Sequence, residues 1–254
     1  MQNRKAVVIP MGMLLKVNFN VVIEKLSAAA KKENPEFDVN KILGQVLVYC
    51  EELNKDNLYI NNKNSYYQKI LSLIGVKNMS EDKFWDIWNS ALTLDGMANN
   101  IKMLQQLNND RALFYLVTDS NIPHLKYIQL LGKQEGIDLK MTVNTATLNN
   151  LPLIATCLLK KNRLEVNKYV VETLLEGKDF NRVSEIIVIM GDPANQSPPL
   201  QPRARKELEE MTKWCNENGA KVELHSNANT LEETLHRILG IEMKQEMKMA
   251  VSGM

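Results

Sequence analysis

Five short runs of apolar and β-branched residues constrain the fold of this chain more than any other feature. They occupy residues 5–9, 112–117, 153–159, 186–190 and 222–225. A strand with one wet face alternates apolar and polar residues, whereas these runs are apolar almost throughout. Both of their faces must therefore be covered, the pattern of parallel strands lying between helices. Helical periodicity fills the gaps between the last four. Residues 122–135 and 164–176 are each expected to form a helix, as are residues 203–218, where Leu208, Met211 and Trp214 or Cys215 recur at helical spacing before the stop signal Asn218-Gly219. Thr230, with Glu233 three residues on, makes a capping box for a last helix that Gly240 ends. Strands alternating with helices in this way predict a doubly wound α/β sheet.

Between the first two runs the pattern changes. Residues 18–109 hold no expected strand and several helical patterns, at residues 19–32, 39–53, 65–73 and 80–108, the last broken near Asp95-Gly96. Ser80 caps its helix, and Glu81 and Asp82 favour the positive helix end. Phe84, Trp85 and Trp88 are read as core aromatics of a helical bundle. The expected organisation is an α/β core from residues 1–17 and 110–240, a helical insertion at 18–109, and a tail at 241–254 rich in methionine, including Met243, Met247 and Met249. A cleft is expected between core and insertion.

Composition narrows the function classes. A net charge of +1 gives no reason to expect nucleic acid or an anionic membrane as partner. The densest basic stretch, Lys160, Lys161, Arg163 and Lys168, is read as a solvated helix start. Cys50, Cys157 and Cys215 form no CxxC pair, and His124, His225 and His236 are scattered, so neither a disulfide framework nor a zinc site is expected. The apolar run 6–15 after Arg4 and Lys5 is read as a buried strand rather than a signal sequence. Lys16, Glu24 and Lys25 interrupt it before any small-residue cleavage site, and a cytoplasmic protein is expected. The span from Pro193 to Pro202, Gln196-Ser-Pro-Pro-Leu-Gln-Pro at its centre, is expected to be a stiff, extended connector.

Two segments resemble motifs of the haloacid-dehalogenase-like (HAD-like) phosphohydrolase superfamily. Leu113-Phe-Tyr-Leu-Val-Thr118-Asp119 is similar to its second motif, a hydrophobic strand ending in Ser or Thr. Ile186-Ile-Val-Ile-Met-Gly191-Asp192, with Asn195 soon after, is similar to the fourth. The resemblance covers nearly the whole chain and implies a HAD-like core with an all-helical cap after the first strand. It also implies roles. Thr118 would contact phosphate through its hydroxyl with Asp119 beside it, Asp192 would be a weak metal ligand, and Lys161, with Lys160 as the alternative, would be the lysine of the third motif. Lys161-Asn162 stands where relatives commonly have Lys-Pro.

The first motif departs from the family. Relatives end the first strand with an aspartate nucleophile, many with a second aspartate two residues later. In Ala6-Val-Val-Ile-Pro10-Met11-Gly12 the flanks align, but Pro10 falls at the nucleophile and Gly12 at the acid/base position. No shift of register helps, because the first aspartate in the chain is Asp38. Proline offers no nucleophile, no side-chain metal ligand and no backbone donor. Glycine has no proton to transfer. Losing one essential catalytic group commonly costs on the order of 10⁴–10⁶ in rate, and groups that act together fail together. Mg²⁺ also needs several oxygen ligands. The expectation is a catalytically degraded relative that acts by binding or regulation, with no cofactor and Mg²⁺ at best weakly held. Its partner would be a protein or a phosphorylated small molecule. The competing expectation is a Mg²⁺-dependent phosphohydrolase whose acid comes from Asp119 and Asp192. Thr118, Lys161 and a helix N-terminus could keep an anion pocket, or each could be a leftover, Thr118 as a cap, Lys161 as a solvated charge, and Asp192 as the first residue of a turn.

Overall fold

Strand β1 (Arg4–Pro10) explains the rest of the architecture. Its residues Ala6, Val7, Val8 and Ile9 are all fully buried, because alternate side chains enter two different cores. Val7 and Ile9 join one cluster and Ala6 and Val8 the other. A run without alternation is what a strand covered on both faces requires. The structure, a computed structural model, describes residues 4–38, 63–108, 112–142, 145–159, 161–177, 183–195 and 201–241.

After β1 come a 3-10 turn (Met11–Met13), β2 (Lys16–Val17) and three helices, α1 (Phe19–Glu33), α2 (Lys63–Leu73) and α3 (Glu81–Asn89). Then follow β3 (Leu92–Thr93), α4 (Met97–Leu107), β4 (Ala112–Thr118) and α5 (Ile122–Gly132). Next are β5 (Leu139–Met141), β6 (Ala146–Leu148), β7 (Leu151–Ala155), α6 (Thr156–Leu159) and α7 (Arg163–Glu176). The chain continues through β8 (Val183–Gly191), α8 (Gln201–Glu217), β9 (Ala220–His225) and α9 (Leu231–Leu239). The sheet order is β5-β6-β7-β4-β1-β8-β9. Strands β7, β4, β1, β8 and β9 are parallel to their neighbours in that order, and β5 and β6 add an antiparallel edge.

All five apolar runs contain a strand, so the α/β sheet predicted from them is present. Its periphery was less legible. Residues 156–159 continue the third apolar run but form α6 rather than strand, since periodicity alone does not separate a buried strand from a buried helical turn. Strands β5 and β6 are three residues each, too short for a pattern. A two-residue turn at Asn149 and Asn150, both at positive φ (48° and 68°), joins β6 to β7 and suits Asn. Asn149 also holds the neighbouring loop, accepting the Asp138 N–H at 2.7 Å and donating to the Gly136 carbonyl at 3.0 Å.

The helical stretch differs from expectation in one respect. It contains a strand, β3, which pairs antiparallel with β2 where the chain enters and leaves the helices. The Asn18 N–H donates to the Ala91 carbonyl beside this ribbon. Helices α1, α2 and α3 bury a cluster of their own, including Val22, Leu26, Ile70, Phe84, Trp85 and Trp88. Phe84 is fully buried, stacked on Trp88 at 5.4 Å and edge-on to Trp85 at 5.0 Å, so these aromatics are core. The helix predicted at 39–53 and the tail from residue 242 lie outside the described residues. The expected extended connector is corrected at both ends: Pro193–Asn195 is a 3-10 turn, and Pro202 sits in the first turn of α8, where a missing N–H leaves no bond unmade. Residues 196–200 are outside the description. Among the described residues no helix is long and apolar enough to cross a membrane.

Gly132 ends α5 where the chain folds back, and the Ile137 N–H donates to its carbonyl at 2.8 Å. A Cβ there would stand 2.9 Å from the Ile137 Cβ. Alanine normally stabilises a helical position by about 1 kcal/mol relative to glycine. Here Gly132→Ala is expected to destabilise by about 1–3 kcal/mol, the usual cost of overpacking. Urea unfolding would read this as a lower midpoint, and an unchanged or raised midpoint would refute the tight Gly132–Ile137 approach.

Candidate functional site

Because β1 lies between β4 and β8, successive connections leave it in opposite directions. The carboxyl ends of these three strands therefore open a crevice, the usual ligand position in an open α/β sheet. A cavity of about 240 Å³ occupies it. Pro10 comes from β1, Thr118 and Asp119 from β4 and the residue after it, and Asp192 follows β8, with Gly12 on the adjoining turn. The volume is below the range typical of whole-cofactor pockets, and suits a small group.

Pro10 is in register beside Val117, and its backbone (φ −60°, ψ 126°) leads into the 3-10 turn carrying Gly12. A Cβ added at Gly12 would have no heavy atom within 4 Å, so packing does not demand glycine there. Neither Pro10 nor Gly12 brings a nucleophile or an acid to the wall, and the space beside Gly12 is open. Thr118 is buried, and its Oγ1 accepts the Ser120 N–H at 3.1 Å in the loop after β4. The cap of α5 is Asn121, whose Oδ1 accepts the His124 N–H at 3.0 Å, and not Thr118. Asp192 Oδ1 accepts the Ala194 N–H at 2.9 Å, which makes it the first residue of a turn as well as part of the wall. Asp119 is exposed at the rim.

The cation in the wall differs from the one anticipated. Lys161 is not among the lining residues; its Nζ lies 5.8 Å from the centre of the Tyr169 ring. Lys160 lies outside the described residues. Arg163 reaches the cavity instead. It is the first residue of α7, whose start is set by Asn162 and Glu165. Asn162 Oδ1 accepts the Glu165 N–H at 2.9 Å, and Glu165 Oε2 accepts the Asn162 N–H at 2.7 Å. The Asn-x-x-Glu spacing was the signal available in the sequence. Reading the basic stretch as solvated throughout missed it. Asn195, quoted with the fourth motif, also lines the cavity, as do Thr156, His225 and Asn227, which were not anticipated. His225 Nδ1 lies 2.9 Å from Thr234 Oγ1, and burial lowers its pKa.

Neither of the two described cysteines is a ready nucleophile. Burial pushes the Cys157 thiol up to about 12 and that of Cys215 up to about 11, leaving both protonated at neutral pH. Mg²⁺ also fits poorly. The cavity offers two carboxylates, one already hydrogen-bonded to backbone, and among the described residues no group of three or more His, Cys, Asp or Glu could hold a metal.

Behind the site, His124 joins the helical stretch to the sheet. Its ring faces Trp88 with centroids 6.5 Å apart and planes 27° from parallel. Its buried Nδ1 has no hydrogen-bond partner among the described residues. Burial lowers its pKa from 6.5 to about 4, although Asp119 pulls the other way. The unfolded chain therefore takes up this proton first. Stability from the neutral ring is full above about pH 6.5 and falls as the pH drops toward 4, by roughly 3 kcal/mol in all. In urea unfolding at pH 7 and pH 4.5, His124→Phe is expected to lose roughly 2 kcal/mol less than the parent chain. Equal losses would exclude His124 as the source.

No protein-family model and no curated protein matches the sequence. Solved structures do. The HAD family enzyme BT-2542 from Bacteroides thetaiotaomicron is similar with a TM-score of 0.61 at 15% identity, over 92% of this chain and 99% of that one. An aspartate-to-alanine mutant of that enzyme, in complex with magnesium and inorganic phosphate, is similar with a TM-score of 0.58 at 15% identity, over 91% and 98% of the two chains. The wild-type complex with the same ligands has a TM-score of 0.55 at 16% identity, over 91% and 98%.

Proposed function

The chain has a HAD-like α/β fold, and we propose that within it the strand-end cavity binds a phosphate group without turning it over. The observation that carries this reading is Pro10, at the end of the central strand in the wall shared with Thr118, Asp119 and Asp192. Aspartyl-phosphate chemistry needs a carboxylate at that point to attack phosphorus and a second acid to protonate the leaving group. This chain has proline and glycine there, while the surrounding polar wall persists. Residues 18–109 act in this reading as a helical cap, and residues 1–17 and 110–240 as the core. The separate hydrophobic cluster of α1, α2 and α3 supports that division. The partner proposed is a phosphorylated small molecule, and the role is binding or regulation.

A second reading has its own observation. Asp119 and Asp192 line one cavity, and the similar enzyme forms complexes with magnesium and phosphate. In that reading the two aspartates serve a Mg²⁺-dependent phosphohydrolase. The donor set weighs against it, because neither strand β1 nor the turn after it contributes a carboxylate.

Hydrolysis of p-nitrophenyl phosphate separates the two. The rate with Mg²⁺ is expected to equal that of a chelated control and to be unchanged by Asp192→Asn. Mg²⁺-dependent turnover abolished by Asp192→Asn would overturn the binding reading in favour of the second.

A further inference from the structure

We propose that phosphate binding in this cavity is independent of metal, with the guanidinium of Arg163 supplying the positive charge. The inference rests on the phosphate-binding reading above and assigns the group that makes it work. Three observations converge on Arg163. It lines the cavity with Thr118, while Lys161 is held over the Tyr169 ring. It makes no ion pair among the described residues. It also occupies the first position of a 14-residue helix, the end at which the backbone dipole disfavours a cation. A half-buried cation at the wrong end of a helix, with no ion pair among the described residues, breaks a local rule. Such conflicts are expected at functional sites. An anion resting between the guanidinium and the helix start would relieve it, because both then act on the ligand with the same sign.

The ligand class follows from the donor shapes. A guanidinium presents two parallel N–H groups that match two oxygens of a phosphate, and this geometry carries strength as well as charge. Inorganic phosphate or the phosphate group of a monoester fits a space of about 240 Å³. Asp119 and Asp192 oppose it. Asp119 is exposed and screened by water, whereas Asp192 is only partly exposed and stays close to the site. The role of Asp192 is thereby reversed. In a metal site its carboxylate would help the anion bind through the cation between them; without a metal it repels the anion.

That reversal supplies the test. Calorimetric titration of the full chain with inorganic phosphate is run in EDTA and in Mg²⁺. Binding is expected in EDTA and is expected to be unchanged by Mg²⁺. Arg163→Gln is expected to weaken it about tenfold or more, the loss of one charge-assisted contact. Lys161→Gln is expected to leave it unchanged, and Asp192→Asn to tighten it. Without ligand, Arg163→Gln is expected to keep or slightly raise the thermal midpoint, which separates lost binding from lost folding. Binding that requires Mg²⁺ and is weakened by Asp192→Asn would overturn the role of Arg163 while leaving a phosphate site. Binding that is lost in Lys161→Gln but kept in Arg163→Gln would move the charge to Lys161. No binding in either buffer would overturn the phosphate-binding reading itself.

Discussion

The whole arrangement depends on burying β1 from both sides. Four consecutive residues with no exposed surface send side chains alternately into two cores. One core takes Phe114, Leu116, Ile187 and Ile189 from the flanking strands, and the other takes Val117, Ile186, Val188 and Met190. At roughly 1.5–3 kcal/mol for each large aliphatic side chain, such burial outweighs any single polar contact in the molecule. Because β4 and β8 pair with opposite edges of β1, their carboxyl ends converge on its own end. A cavity at Pro10 is thus a consequence of how the core is closed. It persists whether or not the residues there do chemistry.

That independence means that the pocket does not need any particular side chain at Pro10 or Gly12 to keep its shape. The buried residues of β1 lie before its end, and Pro10 is in register beside Val117. A fixed φ near −60° suits the passage from strand to 3-10 turn. A Cβ at Gly12 would meet no heavy atom within 4 Å, so packing does not dictate the residue there either. The carboxylates that remain have other work. Asp192 caps the turn after β8, and its N–H donates to the His225 carbonyl at 3.0 Å, tying that turn to β9. Those two bonds give Asp192 a structural role that needs no metal.

Much of the fold was legible because hydrophobic periodicity is a local signal with a global cause. The central strands, the capping box at Thr230 and the buried aromatic group at Phe84, Trp85 and Trp88 all left marks within a few residues. The marks failed where an element is short or its partner distant. Strands β2 and β3 hold two residues each and are recognisable only through each other. The apolar run beyond Ala155 turned into a helical turn, because burial selects apolar residues in either conformation. The candidate site was legible in the same measure. Pro10, Gly12, Thr118, Asp119 and Asp192 meet around one cavity, as their places at strand ends implied.

By itself the sequence determined that a parallel sheet forms, where its central strands end, and that no aspartate stands at the end of the first one. Those are properties of local pattern and residue identity. Only the tertiary structure decided which cation faces the cavity. Lys161 and Arg163 are two residues apart, and no periodicity distinguishes them. The capped start of α7 turns Arg163 into the wall, and the Tyr169 ring takes Lys161 away from it. A side chain's direction at a helix start depends on the packing of the whole helix against the sheet, and that information is spread over residues far apart in the chain.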